Sequence, residues 1–258
     1  MSAPSNMTVT FPSELIERLR AAQSVAILTG AGVSAESGMP TFRDAQTGLW
    51  ARYDPAELAS PAAFRANPVL VWQWYAYRRA LAEAAAPNPG HYALAELEQR
   101  IPDTTLITQN VDGLHHRAGS RNVVELHGNL TRYRCSNDGA PVEVTIVEKD
   151  APPRCPRCGG LIRPDVVWFG ELLPQHAWNM ALAATRRCSL FLCIGTSGVV
   201  RPAADLPLIA QADGAYTVEI NLAPGALAGQ LNLHLYGPSG TLLPALVVAA
   251  FGERSSIG

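Results

Sequence analysis

Four groups of residues in this chain of 258 residues have the types and spacing to do chemistry. Gly30, Ala31 and Gly32 close the apolar run SVAIL, and glycine there lets the backbone approach a phosphate and donate amides to it. Taken alone the turn reads equally as a tight strand-to-loop turn, because position 35 holds Ala35, Gly38 comes later, and no clear acidic residue closes the next strand. His127 ends a second apolar run, NVVELHG (122–128), where an imidazole is either a packing and hydrogen-bonding group or a base working near neutral pH. Tyr75 and Arg78 stand three apart in a helical pattern and share a face. That pair is either a solvated arginine beside an aromatic ring or a guanidinium fork and a phenol offered to a carboxylate. Cys155-Pro156-Arg157-Cys158, followed by two glycines, has the form of a metal knuckle.

The elements that must hold these groups alternate along the chain. Apolar runs SVAILTG (24–30), TLITQN (105–110), NVVELHG (122–128), LFLCIGT (190–196), YTVEIN (216–221) and LHLYG (233–237) predict strands buried on both faces. Helical patterns over 14–22, 91–100, 176–187 and 203–212 separate them, so the crossovers are parallel and the fold class is α/β, a doubly wound, Rossmann-like parallel sheet. Two stretches interrupt the rhythm. Residues 39–89 contain a strong helix, VLVWQWYAYRRALAEAAA, with Asn67 and Pro68 at its start and Pro87 to Gly90 as its stop. Residues 129–163 are rich in Pro, Cys and polar residues and show little regular pattern. The predicted organisation is a Rossmann-like domain of 1–38, 90–128 and 164–258, a helical insert over 39–89 and a cysteine-bearing insert over 129–163.

Composition narrows the partners. Hydrophobic residues are 48% and charged residues 16%, as in an ordinary globular protein with a sizeable core. The net charge is -2 and no Lys/Arg block is present, so no nucleic-acid partner is expected. The apolar runs are too short to span a bilayer, and the first twenty residues lack a charged start followed by an apolar stretch. A cytoplasmic monomer without membrane contact is expected. Five cysteines in such a chain point to metal binding or burial rather than disulfides.

Longer motifs give these groups a context. Residues 30–43 read GAGVSAESGMPTFR; ITQNVDGLH and VVELHG lie between 107 and 128; RPDVVWFGE (163–171), GTSGVVRPAA (195–204) and VEIN (218–221) follow. In these motifs the chain resembles the sirtuin family over nearly its whole length, and within it the bacterial desuccinylase/deacetylase-like (class III) members. The resemblance implies an NAD-dependent protein lysine deacylase that transfers succinyl, malonyl or acetyl groups to ADP-ribose, giving nicotinamide, O-acyl-ADP-ribose and free lysine. By similarity, Gly30, Ala31 and Gly32 hold the NAD phosphates, and Phe42 and Arg43 sit on a cofactor loop. Gln109, Asn110 and Asp112 line the ribose and nicotinamide pocket. Gly195, Thr196 and Ser197 bind phosphate or the adenosine ribose, and Asn221 reaches the adenine ribose. His127 is the base for the attacking ribose hydroxyl.

The same resemblance has acyl-lysine proteins as the substrate partners. The peptide is added as a strand, and Val166, Val167, Trp168 and Phe169 wall the acyl-lysine tunnel; an apolar core strand is the plainer reading, and both can hold. Tyr-x-x-Arg marks the members that accept succinyl- and malonyl-lysine, and Ala59 matches a position kept small to widen the pocket. Zinc-binding sirtuins pair the Cys155/Cys158 knuckle with a second C-x-x-C, but here that unit reads Cys135-Ser136-Asn137-Asp138. One zinc held by Cys135, Cys155, Cys158 and Asp138, a weak site of three thiolates, and no metal all remain open. Two other functions compete: ADP-ribosyl transfer to protein, and an NAD-sensing or acyl-lysine-binding module without catalysis.

Overall fold

The computed structural model describes residues 9–41, 53–144 and 150–253. In chain order the strands are β1 (Ser24–Thr29), β2 (Asp103–Thr108), β3 (Val123–Glu125), β4 (Gly128–Cys135), β5 (Ile162–Val166), β6 (Leu190–Ile194), β7 (Tyr216–Asn221) and β8 (Leu233–Tyr236). The helices are α1 (Ser13–Ala21), α2 (Pro55–Leu58), α3 (Pro61–Ala66), α4 (Pro68–Ala84), α5 (Pro89–Arg100), α6 (Leu114–Arg117), α7 (Gln175–Arg187), α8 (Leu206–Ala212) and α9 (Ser239–Phe251).

Six strands form one parallel sheet in the order β3-β2-β1-β6-β7-β8. Alternate side chains of β1 go to opposite faces, as the period of a strand requires. Val25 and Ile27 pack with Leu15 and Leu19 of α1, Leu94 and Leu97 of α5 and Leu243 and Leu246 of α9. Ala26 and Leu28 pack with Ala181 of α7 and Leu206 and Ala210 of α8. The strand order reverses between β1 and β6, and the carboxyl ends of those two strands open the crevice where such sheets bind ligands.

Two sequence expectations change. The run 122–128 is not one strand. β3 stops at Glu125, and the chain leaves the large sheet to begin β4 at Gly128. Gly128 makes the crossing at φ +79, and a Cβ there would lie 2.0 Å from the Asp165 carbonyl oxygen, so only glycine serves. Residues 129–163 also carry more pattern than their composition suggests. β4 pairs antiparallel with β5, and a register shift between Asn129 and Tyr133 breaks the alternation that would have revealed the strand. The expected boundary at 163/164 therefore falls inside β5.

The helical insert forms for legible reasons. Asn67 Oδ1 accepts from the Leu70 amide at 3.0 Å and Pro68 occupies the first turn of α4. The inward face of α4 joins the small sheet, with Trp72 against Tyr133 at 5.7 Å between ring centroids. The sequence pattern missed α9 because it is apolar on nearly all sides and contains Pro244. An interior proline costs about 3 kcal/mol. Burying Leu242, Leu243, Leu246 and Val247 outweighs it, at about 1.5–3 kcal/mol per large apolar side chain.

Candidate active site

At the reversal point two glycine loops pass backbone to backbone. Gly30 N donates to Ile194 O at 3.0 Å and Gly32 N to Gly195 O at 2.8 Å. Gly195 has φ +59, and a Cβ on it would lie 2.4 Å from Val33 N. The two glycine amides are thus spent on joining β1 to β6. What glycine supplies here is first of all the close approach, which keeps the mouth of the crevice free of side chains. Gly32, Gly195 and Asn221 border one cavity there. Asn221 Nδ2 donates to Thr196 O at 2.9 Å, and Gln109 Nε2 donates to Thr196 Oγ1 at 3.0 Å. Ser197 lies next in that loop. A side-chain-free cradle flanked by amide and hydroxyl groups fits a dinucleotide.

Deeper in the crevice a buried polar network runs from β1 to β2. Asn110 Nδ2 donates to Gly30 O at 3.0 Å and to Ser34 Oγ at 3.1 Å. Ser34 Oγ donates to Asp112 Oδ2 at 2.8 Å, and Asp112 Oδ1 accepts from the Leu114 amide at 2.9 Å. Burial pushes the Asp112 carboxyl up, against the pull of these two donors, Arg78 and Arg117. His91 Nδ1 accepts from the Asn88 amide at 3.3 Å, so Nε2 carries the proton and donates to Ser34 Oγ at 3.3 Å. Beside it, His115 Nε2 lies 2.9 Å from Thr29 Oγ1, whose own proton goes to Thr108 Oγ1. Desolvation lowers His91 to about 4 and His115 to about 3.

His127 stands where the chain passes from β3 to β4, so it faces both sheets. Its Nδ1 lies 3.0 Å from the Gln109 carbonyl oxygen. Its own carbonyl accepts from Val167 N at 2.9 Å. Burial lowers the His127 pKa, partly offset by the bond to Gln109. The imidazole is neutral at neutral pH, with Nδ1 protonated and Nε2 able to take a proton.

Four of the residues expected to form the acyl pocket come together. Ala59, Tyr75, Val166 and Trp168 belong to one buried cluster, which Phe64 joins. Trp168 lies 5.2 Å from Phe64 and 6.3 Å from Tyr75 between ring centroids. Burial pushes the Tyr75 phenol up to about 12, with Arg78 pulling the other way. Arg78 sits over the Trp74 ring at 5.0 Å and feels both Tyr75 and Asp112, which places its charge between this cluster and the crevice. Phe169 differs from its neighbours: its side chain is half exposed, while its amide donates to Ala59 O at 2.9 Å. Phe42 and Arg43 lie outside the described residues.

A clasp that sequence reasoning missed holds this wall. Arg163 is buried and donates to Glu171 at 2.5 and 2.9 Å and to Val166 O at 2.8 Å, with its guanidinium 3.2 Å from the Trp168 ring centroid. Glu171 also accepts from Trp168 N at 2.9 Å and from Arg134 at 3.2 Å. The two charges bracket RPDVVWFGE at its ends, which is the only signal the sequence offered. Ser34, His91 and His115 were missed too, since nothing local shows that they meet.

Three thiols gather on the small sheet. The sulfurs of Cys135, Cys155 and Cys158 lie within 4.8 Å of one another, with Cys135 and Cys158 at 3.4 Å. Asp138 lies outside this group of three but beside it: its carboxylate accepts from the Ala140 amide at 2.9 Å and from the Cys135 thiol, and pairs with Arg157 at 3.5 Å. Three soft donors in this spacing fit a zinc ion. Cys188 and Cys193 are buried packing residues of the main domain, and burial raises both thiols.

Comparison with known proteins places this geometry in context. The pattern of the Sir2 family matches residues 30–202. A Pseudomonas aeruginosa protein named NAD-dependent protein deacylase 1 is 52% identical over 245 residues, which is 92% of this chain and 98% of that protein. A solved Sir2 homologue–NAD complex superposes with a TM-score of 0.89 at 44% identity, covering 93% of this chain and 94% of the other. A mutant Sir2 homologue in complex with 2′-O-acetyl ADP ribose superposes with a TM-score of 0.88 at 45% identity, covering 93% and 96%.

Proposed function

This chain belongs to the Sir2 family and is an NAD-dependent protein deacylase, and from that premise we propose that it removes succinyl, malonyl and acetyl groups from protein lysines with His127 as its base. The observation that carries the acyl reading is the position of Arg78, beside Tyr75 and within electrostatic reach of Asp112. A guanidinium and a phenol at that wall offer charge-assisted hydrogen bonds to the free carboxylate of a succinyl or malonyl group. Ala59 and Trp168 bound the same space, and an acetyl group fits with the pair unengaged.

NAD, when bound, supplies the ribose carbon that receives the acyl oxygen and releases nicotinamide. Gly30, Ala31, Gly32, Gly195, Thr196, Ser197 and Asn221 would hold its phosphate and adenosine parts, and Phe42 and Arg43 would contribute to the same cofactor. Gln109, Asn110 and Asp112 would line its ribose and nicotinamide end. His127 Nε2 takes the proton of the attacking ribose hydroxyl, while the Gln109 carbonyl keeps Nδ1 protonated and the ring aimed. The Arg163–Glu171 clasp holds Val166 to Phe169 in place for the acyl-lysine.

Zinc would sit on Cys135, Cys155 and Cys158 and stiffen the small module; Asp138, beside Cys135, could complete the set. The helical and cysteine-bearing inserts work as one module, since α4 packs on β4 and β5. No described helix is long and apolar enough to cross a membrane, and the reading includes a cytoplasmic monomer.

One peptide carrying either acetyl- or succinyl-lysine tests the proposal, with nicotinamide and freed lysine followed together. Succinyl turnover supports the Tyr75/Arg78 pocket. Acetyl turnover alone removes it. Nicotinamide release that needs no acyl peptide favours ADP-ribosyl transfer instead.

A further inference from the structure

Doubly wound dinucleotide folds commonly carry an acidic residue at the end of the second strand, where it holds the adenosine ribose. β2 here ends in Thr108, followed by Gln109 and Asn110. The structure brings a carboxylate to the crevice from another direction. Glu36, in the 3-10 turn Ala31–Ser37 after β1, borders the same cavity as Gly32, Gly195, Asn221 and Ser239. Its Oε1 accepts from Gly240 N at 2.8 Å and from Ser239 Oγ at 3.2 Å. These donors open α9, a 13-residue helix whose N-cap residue, Pro238, offers no side-chain acceptor. The first amides of a helix are where a phosphate would otherwise be drawn. Glu36 holds that place, packed so closely that a Cβ on Gly240 would lie 2.6 Å from its Oε2.

We propose that Glu36 restricts the cofactor to NAD by denying this corner to a 2′-phosphate on the adenosine ribose. The inference rests on the reading that Asn221 holds that ribose. A phosphate monoester carries about 1.5 to 2 negative charges at neutral pH. It would meet a carboxylate that has already taken the Gly240 amide and the Ser239 hydroxyl, and like charges in one cavity repel. A ribose hydroxyl is neutral and can donate to the same carboxylate. One side chain therefore favours NAD and opposes NADP.

The test is the ratio of Kd for NADP to Kd for NAD, measured by calorimetry on the full chain. E36Q keeps an acceptor for the Gly240 amide and removes the charge; E36K reverses the charge. The ratio is expected to fall about tenfold in E36Q, the size of one like-charge contact, and further in E36K. An unchanged ratio in both variants, with a lowered Tm, would make Glu36 a helix cap and nothing more. Asn221→Ala separates the two layers of the argument. If it weakens NAD while the Glu36 ratio stays fixed, this inference alone falls. If it leaves NAD affinity intact, the adenosine placement falls, and the inference with it.

Discussion

His127 and Gln109 are joined across the carboxyl ends of β2 and β3, with the imidazole Nδ1 3.0 Å from the main-chain carbonyl oxygen. A carbonyl can only accept, so the proton stays on Nδ1 and the lone pair stays on Nε2. Burial disfavours the imidazolium. One backbone contact thus sets the tautomer and the direction of the base, and burial keeps it neutral.

His127→Ala should lower kcat by about two to four orders of magnitude, the usual share of a general base, while the Kd for NAD stays near that of the parent. Full activity in the variant would remove the assignment. In the parent enzyme, kcat/KM should fall with acid only below about 6.5, the ordinary imidazole value, because burial lowers the His127 pKa and keeps the base neutral further into acid.

Arg78→Met should reduce kcat/KM for a succinyl peptide by about tenfold to a hundredfold, the loss of a charged hydrogen bond. The effect on an acetyl peptide should be much smaller. Equal losses on both peptides would mean that Arg78 serves the fold or the cofactor rather than the acyl carboxylate.

Arg163→Met should destabilise the protein by about 3–5 kcal/mol, because it leaves part of the Glu171 charge buried without its main partner. Replacing both residues, Arg163→Met with Glu171→Met, should recover part of that loss. Urea unfolding of the single and double variants measures it; simple additivity would show that the clasp is not a coupled unit.

Acid should loosen the fold through His91 and His115. Their folded values, about 4 and about 3, lie below the unfolded value. The unfolded chain therefore binds more protons between those values and about 6.5, and stability falls as pH drops through that window. The loss is on the order of several kcal/mol once both are protonated. Asp112, raised by burial, works in the opposite direction and offsets part of it. Urea midpoints at pH 7.5 and pH 5 report the balance, and equal midpoints would contradict it.

Protein purified without chelator should carry close to one zinc per chain, and its removal should lower Tm more than it changes kcat of the protein that remains folded. Metal content well below one per chain would reject the site.

Much of this site was legible as motif. The glycine turn, the QNVD stretch, His127 and the Tyr75/Arg78 pair each sit in a local pattern, and the structure bonds Gly30 to Asn110 and Gln109 to His127. The exceptions share a cause. Ser34, His91 and His115 come from the 3-10 turn after β1, α5 and α6, far apart in the chain, so their network exists only when the sheet brings them together. β4 hid because its bulge breaks the alternation, and α9 hid because an all-round apolar helix has no periodic face to detect.

The amino-acid sequence by itself determined most of the element types, the parallel sheet and the chemistry on offer: glycines at two strand ends, an imidazole after β3, a guanidinium and phenol on one helical face, and three thiols in two short motifs. Those follow from local rules of spacing and side-chain type. Tertiary structure alone decided which lone pair of His127 is available, that the Gly30 and Gly32 amides join two strands, that Cys135 meets Cys155 and Cys158, and that Glu36 occupies the start of α9. Each of these depends on a hydrogen bond or a desolvation between distant segments, and such contacts are fixed by packing rather than by neighbours in the chain.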